Sequence, residues 1–503
     1  MTPHGPVEEL QRPRAGGLAA AVLACTLLPG CATFRSYDAE MQQALALTGA
    51  GQAGRAVQVL QSSRRSSDTA LLYHLELGEL ERLQGSYRAS QNAWAVADQQ
   101  IQRWEAGIDA AAATGFAAAW LINDKVRPYE GHDYEKVLLT TCMAMNFLAR
   151  GDLANARVAI KQTHEREALI AALRERQYQA IQEQARQRGA STNLRDLNGY
   201  PVEEIDNPAV NALRNSYQNA LSHTLAGFVY EALGEPGLAA AGYRQALELR
   251  PGSPVLEVAL AGLDARVLAP DDGLTDTLIV LETGFAPARR SRRFPLPIPI
   301  DDEVVVFPLS VPIIESIGSP EVPVEVRLDD GPALTPDEIA NIDSMARRAL
   351  KDEMPGILLR SVVRATTRAA AQVQMRRAAD AAHSKGDDSK AGWLDAGAMI
   401  LALGSVAIES ADERVWRSLP AQVYVARGRL PRGVHSMTVA SSAGEHRVTV
   451  DVSGRHAFIA LRLLRGNLYA MLPEAPLPGG RQPTRTAAIA PEIAFVNRQE
   501  VVP

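Results

Sequence analysis

One run constrains the fold more than any other part of the chain: Gly227-x-x-Tyr230-x-x-x-Gly234-x-x-x-x-Ala239-x-x-x-Tyr243-x-x-Ala246-x-x-x-x-Pro251. Its spacing is that of two short helices folded back on each other. Small residues at Gly227 and Ala239 let the helices approach, and Tyr230 and Tyr243 are expected to fill the groove between neighbouring hairpins. Gly234 permits the turn, and Pro251 ends the second helix. A lone hairpin would leave an apolar face in water, so the pattern demands neighbours of its own kind.

Partial copies are present. Gly78, Gly85, Ser90, Trp94 and Ala97 repeat the spacing, with Glu81 at the first aromatic position. Ala144, Phe147, Gly151, Ala156 and Ile160 repeat it again, as do Ala44, Leu47, Gly51, Ala56 and Leu60. The period is near that of tetratricopeptide (TPR) repeats and predicts a curved helical solenoid from Tyr37 to about Ala265. Two stretches interrupt it: 121–136, which holds the turn-rich segment 127–135, and a charged helix from His164 to about Arg188 that leads into a polar loop with Asn198-Gly199-Tyr200-Pro201. Glu165, Arg166, Glu167, Arg174, Glu175 and Arg176 on that helix read as a solvated or partner-facing surface.

After Pro270-Asp271-Asp272-Gly273 the pattern turns extended. Strands are predicted at 277–282, 304–308, 322–328, 422–427, 434–440, 445–452 and 456–464. Prolines 295, 297, 299, 308 and 312 belong on sheet edges or in polyproline conformation. Thr335, Pro336 and Glu338 read as the start of a helix that breaks or kinks at Pro355-Gly356 and resumes to about His383. Residues 393–408 read as a buried helix too short to span a bilayer. The expected fold class is therefore α + (α+β): a TPR-like helical solenoid over 31–269, then a mixed domain over 270–472 with a mainly antiparallel sheet and packed helices, its core separate from the array's. A tail, 473–503, is expected to be poorly ordered.

Before the array, Arg12 and Arg14 precede an apolar run, Leu18 to Leu28, and then Pro29-Gly30-Cys31. This layout resembles bacterial lipoprotein signal peptides over 1–30, although Glu8, Glu9 and Pro29 depart from the usual pattern. The resemblance implies cleavage before Cys31, lipidation of that residue (the acyl chains being palmitate or its like), and, with Ala32 following, sorting to the outer membrane facing the periplasm. Of the three cysteines, only Cys142 would then remain a thiol, and its apolar helical setting reads as buried and inert.

The 503 residues suffice for two or three cores, and 46% hydrophobic against 22% charged residues is ordinary globular composition. A net charge of −6 gives no reason to expect nucleic acid as a partner. Three segments together, 127–136, 294–299 and 411–420, resemble an uncharacterised family of Gram-negative TPR-like envelope lipoproteins. The resemblance implies an envelope location but no reaction.

No Ser-His-Asp motif, phosphate loop, dinucleotide fingerprint or His-Glu-x-x-His is visible, and no cofactor is expected. His132 with Glu130, Asp133 and Glu135 reads as a structural loop with Tyr129 and Tyr134 packed and the charges solvated; His164-Glu165 reads as surface. Arg289, Arg290, Arg292 and Arg293 are candidate contacts to an anionic envelope polymer or lipid, whereas Arg360, Arg364 and Arg368 read as a solvated helix face. These features predict a lipid-anchored scaffold or adaptor that grips a protein partner on the concave face of its array. The competing expectation is an envelope hydrolase or transferase acting on peptidoglycan or lipid through the C-terminal domain.

Overall fold

The computed structural model describes residues 37–62, 69–112, 129–188, 197–268, 272–300, 303–316, 318–329, 331–385, 393 and 410–478. Cys31 and the segment before it lie outside these residues, as do 394–409 and 479–503.

Four helical hairpins form the first part: α1 (Tyr37–Gly49) with α2 (Ala53–Ser62), α3 (Ala70–Leu83) with α4 (Tyr87–Ala112), α5 (Asp133–Ala149) with α6 (Leu153–Arg188), and, after short helices α7 (Val202–Ile205) and α8 (Pro208–Ala212), α9 (Ala220–Ala232) with α10 (Pro236–Leu249). All four turn in one way. Gly51, Gly85, Gly151 and Gly234 sit at φ 78, 74, 72 and 74°, a left-handed conformation that favours a residue without Cβ. Each glycine N–H donates to the carbonyl three residues back, and the next N–H donates to the carbonyl five back, at 2.8–3.0 Å. These two bonds satisfy carbonyls that the helix end would otherwise orphan.

Two short helices, α11 (Pro254–Ala261) and α12 (Leu263–Leu268), lead into a five-stranded sheet of order β10-β9-β1-β6-β5. Its strands are β1 (Leu274–Thr283), β5 (Asp337–Asn341), β6 (Gln422–Pro431), β9 (His456–Leu464) and β10 (Asn467–Met471). The sheet is mixed, since β1 runs antiparallel to β6 and parallel to β9. Alternation along β1 sends Leu278 and Val280 toward the helices, while Ile279 and Leu281 meet a three-stranded sheet of β4 (Pro323–Leu328), β7 (Gly433–Ser441) and β8 (Gly444–Val452). The layers are thus helices, sheet, sheet.

The expectation of separate cores fails here. One continuous apolar cluster joins Leu75, Trp94, Leu139 and Phe228 of the hairpins to Leu278, Val280, Trp416, Val425 and Phe458 of the later half. The compositional break at Pro270 marks a change of element type, not of core. The tail also begins later than expected, since Leu477 is buried and Glu474 N–H donates to Ala149 O.

Beside these layers, β2 (Ala288–Ile300) and β3 (Glu303–Glu315) pair only with each other, and α13 (Ile342–His383) packs along them through Leu350, Met354, Ile357 and Leu358. The prolines lie as predicted for edges. The register opposes Pro295 to Pro308 and Ser291 to Pro312, so all five prolines share the alternate positions whose backbone points away from the partner strand. The helix predicted from Thr335 begins instead at Ile342, capped by Asn341, whose side chain accepts Ser344 N–H at 2.9 Å. Residues 337–341 are drawn into the sheet by pairing with β6. Nor does Pro355 end the helix; a proline there costs about 3 kcal/mol, and flanking Met354, Ile357 and Leu358 offset it by burial. Arg364 is buried too, against the expectation of a solvated face. In 393–408 only Trp393 is described, and it is 75% exposed, unlike a residue of a buried helix.

Candidate functional site

Of the segments singled out in the sequence, 129–136 and 411–420 meet around His132, and Arg289 joins them from β2, the strand that also bears 294–299. Glu135, on the first turn of α5, accepts Trp416 N–H at 2.7 Å on one oxygen; on the other it accepts His132 N–H at 3.0 Å and the Tyr129 hydroxyl. From the neighbouring hairpin, Glu76 of α3 takes the amides of Arg417 and Ser418 at 2.7 and 3.0 Å. Two buried carboxylates therefore hold the backbone of 416–418 in place, and the Trp416 ring packs edge to face on Trp94 at 5.9 Å.

His132 lies beside this junction, its side chain 12% exposed. Its Nδ1 is 2.9 Å from Glu353 Oε1 of α13, and its Nε2 is 3.2 Å from the Arg414 carbonyl oxygen. The Arg289 guanidinium donates to Glu353 Oε2 at 2.8 Å and lies 2.7 and 3.0 Å from the two ring nitrogens. Burial disfavours the charged ring, but Glu353 and Glu135 outweigh both burial and Arg289, so the His132 pKa is raised. Glu353 is likewise held well below the usual carboxylate range: Arg289 and His132 overcome its burial. When protonated, the ring can act as a clamp, donating from Nδ1 to Glu353 and from Nε2 to the Arg414 carbonyl, and in that state it has no lone pair with which to act as a base.

The Tyr129 and Tyr134 side chains pack as predicted, but the charges beside them are not solvated. Glu135 and Asp133 are buried, and Asp133 pairs with Arg174 of α6. Arg166 and Glu167 are buried as well. The proposed arginine cluster does not form one surface, because strand alternation divides it. Arg289 turns inward to Glu353, Arg290 and Arg292 share Glu315 from the other face at 3.4 and 3.5 Å, and Arg293 is exposed.

The residues expected to pack the hairpins lie as follows. A Cβ at Gly78 would stand 2.2 Å from Trp94 Nε1, and one at Gly227 would stand 2.3 Å from Tyr243 Cε1. Ala239 and Ala246 are fully buried, and Tyr230 packs under Arg157. Phe147 is half-buried and Pro251 exposed just beyond α10. Tyr243, however, fills its own hairpin rather than a groove between hairpins. Its hydroxyl donates to Glu231 at 2.8 Å and accepts from Arg427 at 2.6 Å, which ties the hairpin to β6.

The concave-face expectation also meets a correction. Glu76, Glu79 and Arg82 of α3, Glu135 of α5 and Glu231 of α9 all bond to residues of the later half, so the chain's own sheet and the segment before β6 occupy the face formed by the first helices. Sequence reasoning missed Arg82, Glu282, Arg427 and Arg462; isolated charges in apolar runs were the only signal.

Among the described residues, Glu231, Asp276 and His456 bring three potential metal-ligand atoms within 4.8 Å. Arg427 already bonds both carboxylates, and Arg266 bonds Glu231 at 2.7 Å. Two guanidiniums neutralise this group without a metal ion. No helix among the described residues is long and apolar enough to cross a membrane. Comparison with known proteins found no matching family model, curated protein or solved structure.

Proposed function

We propose that this chain is a lipid-anchored scaffold or adaptor of the cell envelope, built on a TPR-like array and held to the outer membrane through Cys31. The observation that carries the array reading is the common turn. Gly51 and Gly85 are 34 positions apart (85 − 51), the length of a TPR unit, and share backbone angles and hydrogen bonds with Gly151 and Gly234. The Gly78–Trp94 and Gly227–Tyr243 contacts, each 16 positions apart (94 − 78 and 243 − 227), support it further. Because the first helices are covered in cis, a protein partner is left the second helices. There Val96, Val158 and Leu238 are 40, 50 and 47% exposed.

Cross-linking and pull-down from detergent-solubilised envelopes tests this. Reproducible partners should be retained by the wild type and lost on Val158→Glu with Leu238→Glu. Peptidoglycan or lipid turnover by the purified chain would instead favour the hydrolase or transferase reading.

A further inference from the structure

The five-stranded and three-stranded sheets end on β10, β5, β4 and β8, and the first three of these edges are short or blocked. β5 and β10 are five residues long, and β5 also shifts register between Glu338 and Ala340. β4 shifts register between Pro323 and Glu325, and Leu334 already takes its outer side. There Val326 N–H donates to Leu334 O at 2.9 Å and Leu334 N–H donates to Val326 O at 2.8 Å. β8 is different. It runs nine residues, Gly444–Val452, in unbroken register with β7, holds no proline, and has no second neighbour among the described strands.

Alternation fixes what this edge presents. The turn Ser442-Ala443 is two residues long and closes on Ser441 and Gly444, which makes them a hydrogen-bonded pair. Every second residue from Gly444 therefore bonds to β7, and the N–H and C=O groups of Glu445, Arg447, Thr449 and Asp451 point away from it. The side chains of these four are exposed on the outer face of the sheet, whereas Val450 and Val452 are buried on the inner face and Val448 is half-buried.

From this geometry we propose that the β8 edge is a dimer interface, on which a second copy of this chain adds its own β8 antiparallel about a twofold axis. A twofold pairing is reciprocal, so whatever residue i faces on the second copy, that residue's counterpart faces i in return. Outward backbone groups must also meet outward groups. Centring the axis on Thr449 satisfies both conditions over 446–452: Thr449 meets Thr449, Arg447 of each copy meets Asp451 of the other, and Val448 meets Val450 on the inner face. The alternative registers are worse. Centring on Val448 opposes Glu445 to Asp451, centring on Arg447 opposes the two arginines, and centring on His446 pairs Glu445 with Arg447 but overlaps 444–448 alone. Opposite charges across a strand pair stabilise it and like charges destabilise it, so the charge pattern of β8 selects the Thr449 register.

The test is sedimentation velocity of the full purified chain over a concentration series, with Cys31→Ser in every form so that no acyl chain brings copies together. A species of the chain's own mass should give way to one of twice that mass as concentration rises. Thr449→Pro removes an outward donor without touching the bonds to β7 and should abolish the dimer. Arg447→Glu and Asp451→Arg should each weaken dimerisation at least about tenfold, because the symmetry turns one substitution into two like-charge contacts. The two together should restore it, which separates a lost contact from a damaged fold. Under mild oxidation Thr449→Cys should cross-link to its own copy, since Cα atoms of a hydrogen-bonded antiparallel pair stand about 5.5 Å apart, and Glu445→Cys should not. A chain that stays monomeric throughout, a dimer that survives Thr449→Pro, charge reversals that fail to rescue each other, or equal cross-linking of the two cysteine variants would each overturn the proposal.

Discussion

Arg82 on α3 and Glu282 on β1 lie 200 positions apart in sequence and meet at 2.5 Å with no exposure to solvent beyond 1% on either side chain. Around them Glu79 bonds Arg82 at 2.7 Å and Arg462 at 2.5 Å, closing a neutral group of two arginines and two glutamates between hairpin and sheet. Burial opposes the Arg82 charge, yet Glu282 and Glu79 hold it protonated.

Removing one member leaves a buried charge unpaired, which costs about 3–5 kcal/mol, whereas replacing the whole group by apolar residues can be neutral. Arg82→Met should therefore destabilise strongly. Because one core spans both halves, helical circular dichroism and tryptophan fluorescence should report a single shifted transition in urea. Survival of a folded sheet after loss of the helices would show the halves to be independent.

Gly78→Ala and Gly227→Ala should each cost about 1–3 kcal/mol by overpacking, although alanine is normally the better helix former. At Gly237 in α10 an added Cβ meets nothing within 4 Å, so Gly237→Ala should be neutral or stabilise by up to about 1 kcal/mol. Denaturation midpoints of the three variants give the comparison; equal shifts would remove the close contact as the cause.

The His132 clamp predicts a pH dependence of known sign. A folded pKa above the unfolded value means that the clamp contributes fully below the unfolded pKa and is lost as pH rises through the folded one. Glu353 stays ionised throughout this window, since its pKa lies well below the ordinary value. Across about pH 5 to 8, melting temperatures of wild type should fall relative to those of His132→Gln, and parallel profiles would exclude the clamp.

On the anchoring proposed above, Cys31→Ser should remove the acyl acceptor and move the protein from membrane to soluble periplasmic fractions. A palmitate analogue should label the wild type only. Labelling of both forms, or of neither, would argue against the anchor.

Much of the architecture was readable because its signals were local. Turn glycines and close-contact glycines follow from two-helix geometry, and β6 to β9 follow from alternation between turn residues. Residues 337–341 misled because Thr335, Pro336 and Glu338 have the chemistry of a helix start, yet pairing with β6 decided their state. The site was the less legible part. That Tyr129 and Tyr134 pack could be read from the segment itself; that Glu135 is buried could not, because the amide it serves is Trp416, 281 positions away. Likewise His164 reads as surface, yet α9 brings His223 to stack on its ring.

The placement of prolines in the β2–β3 hairpin bears on self-association. A two-stranded ribbon ordinarily exposes two rows of backbone donors and acceptors, each a template on which another chain can grow a strand. Here the outward rows lack donors at Pro295, Pro297 and Pro299 along one side and at Pro308 and Pro312 along the other. Neither side offers an unbroken ladder, so this long ribbon, which pairs with neither main sheet, is a poor template for a further strand.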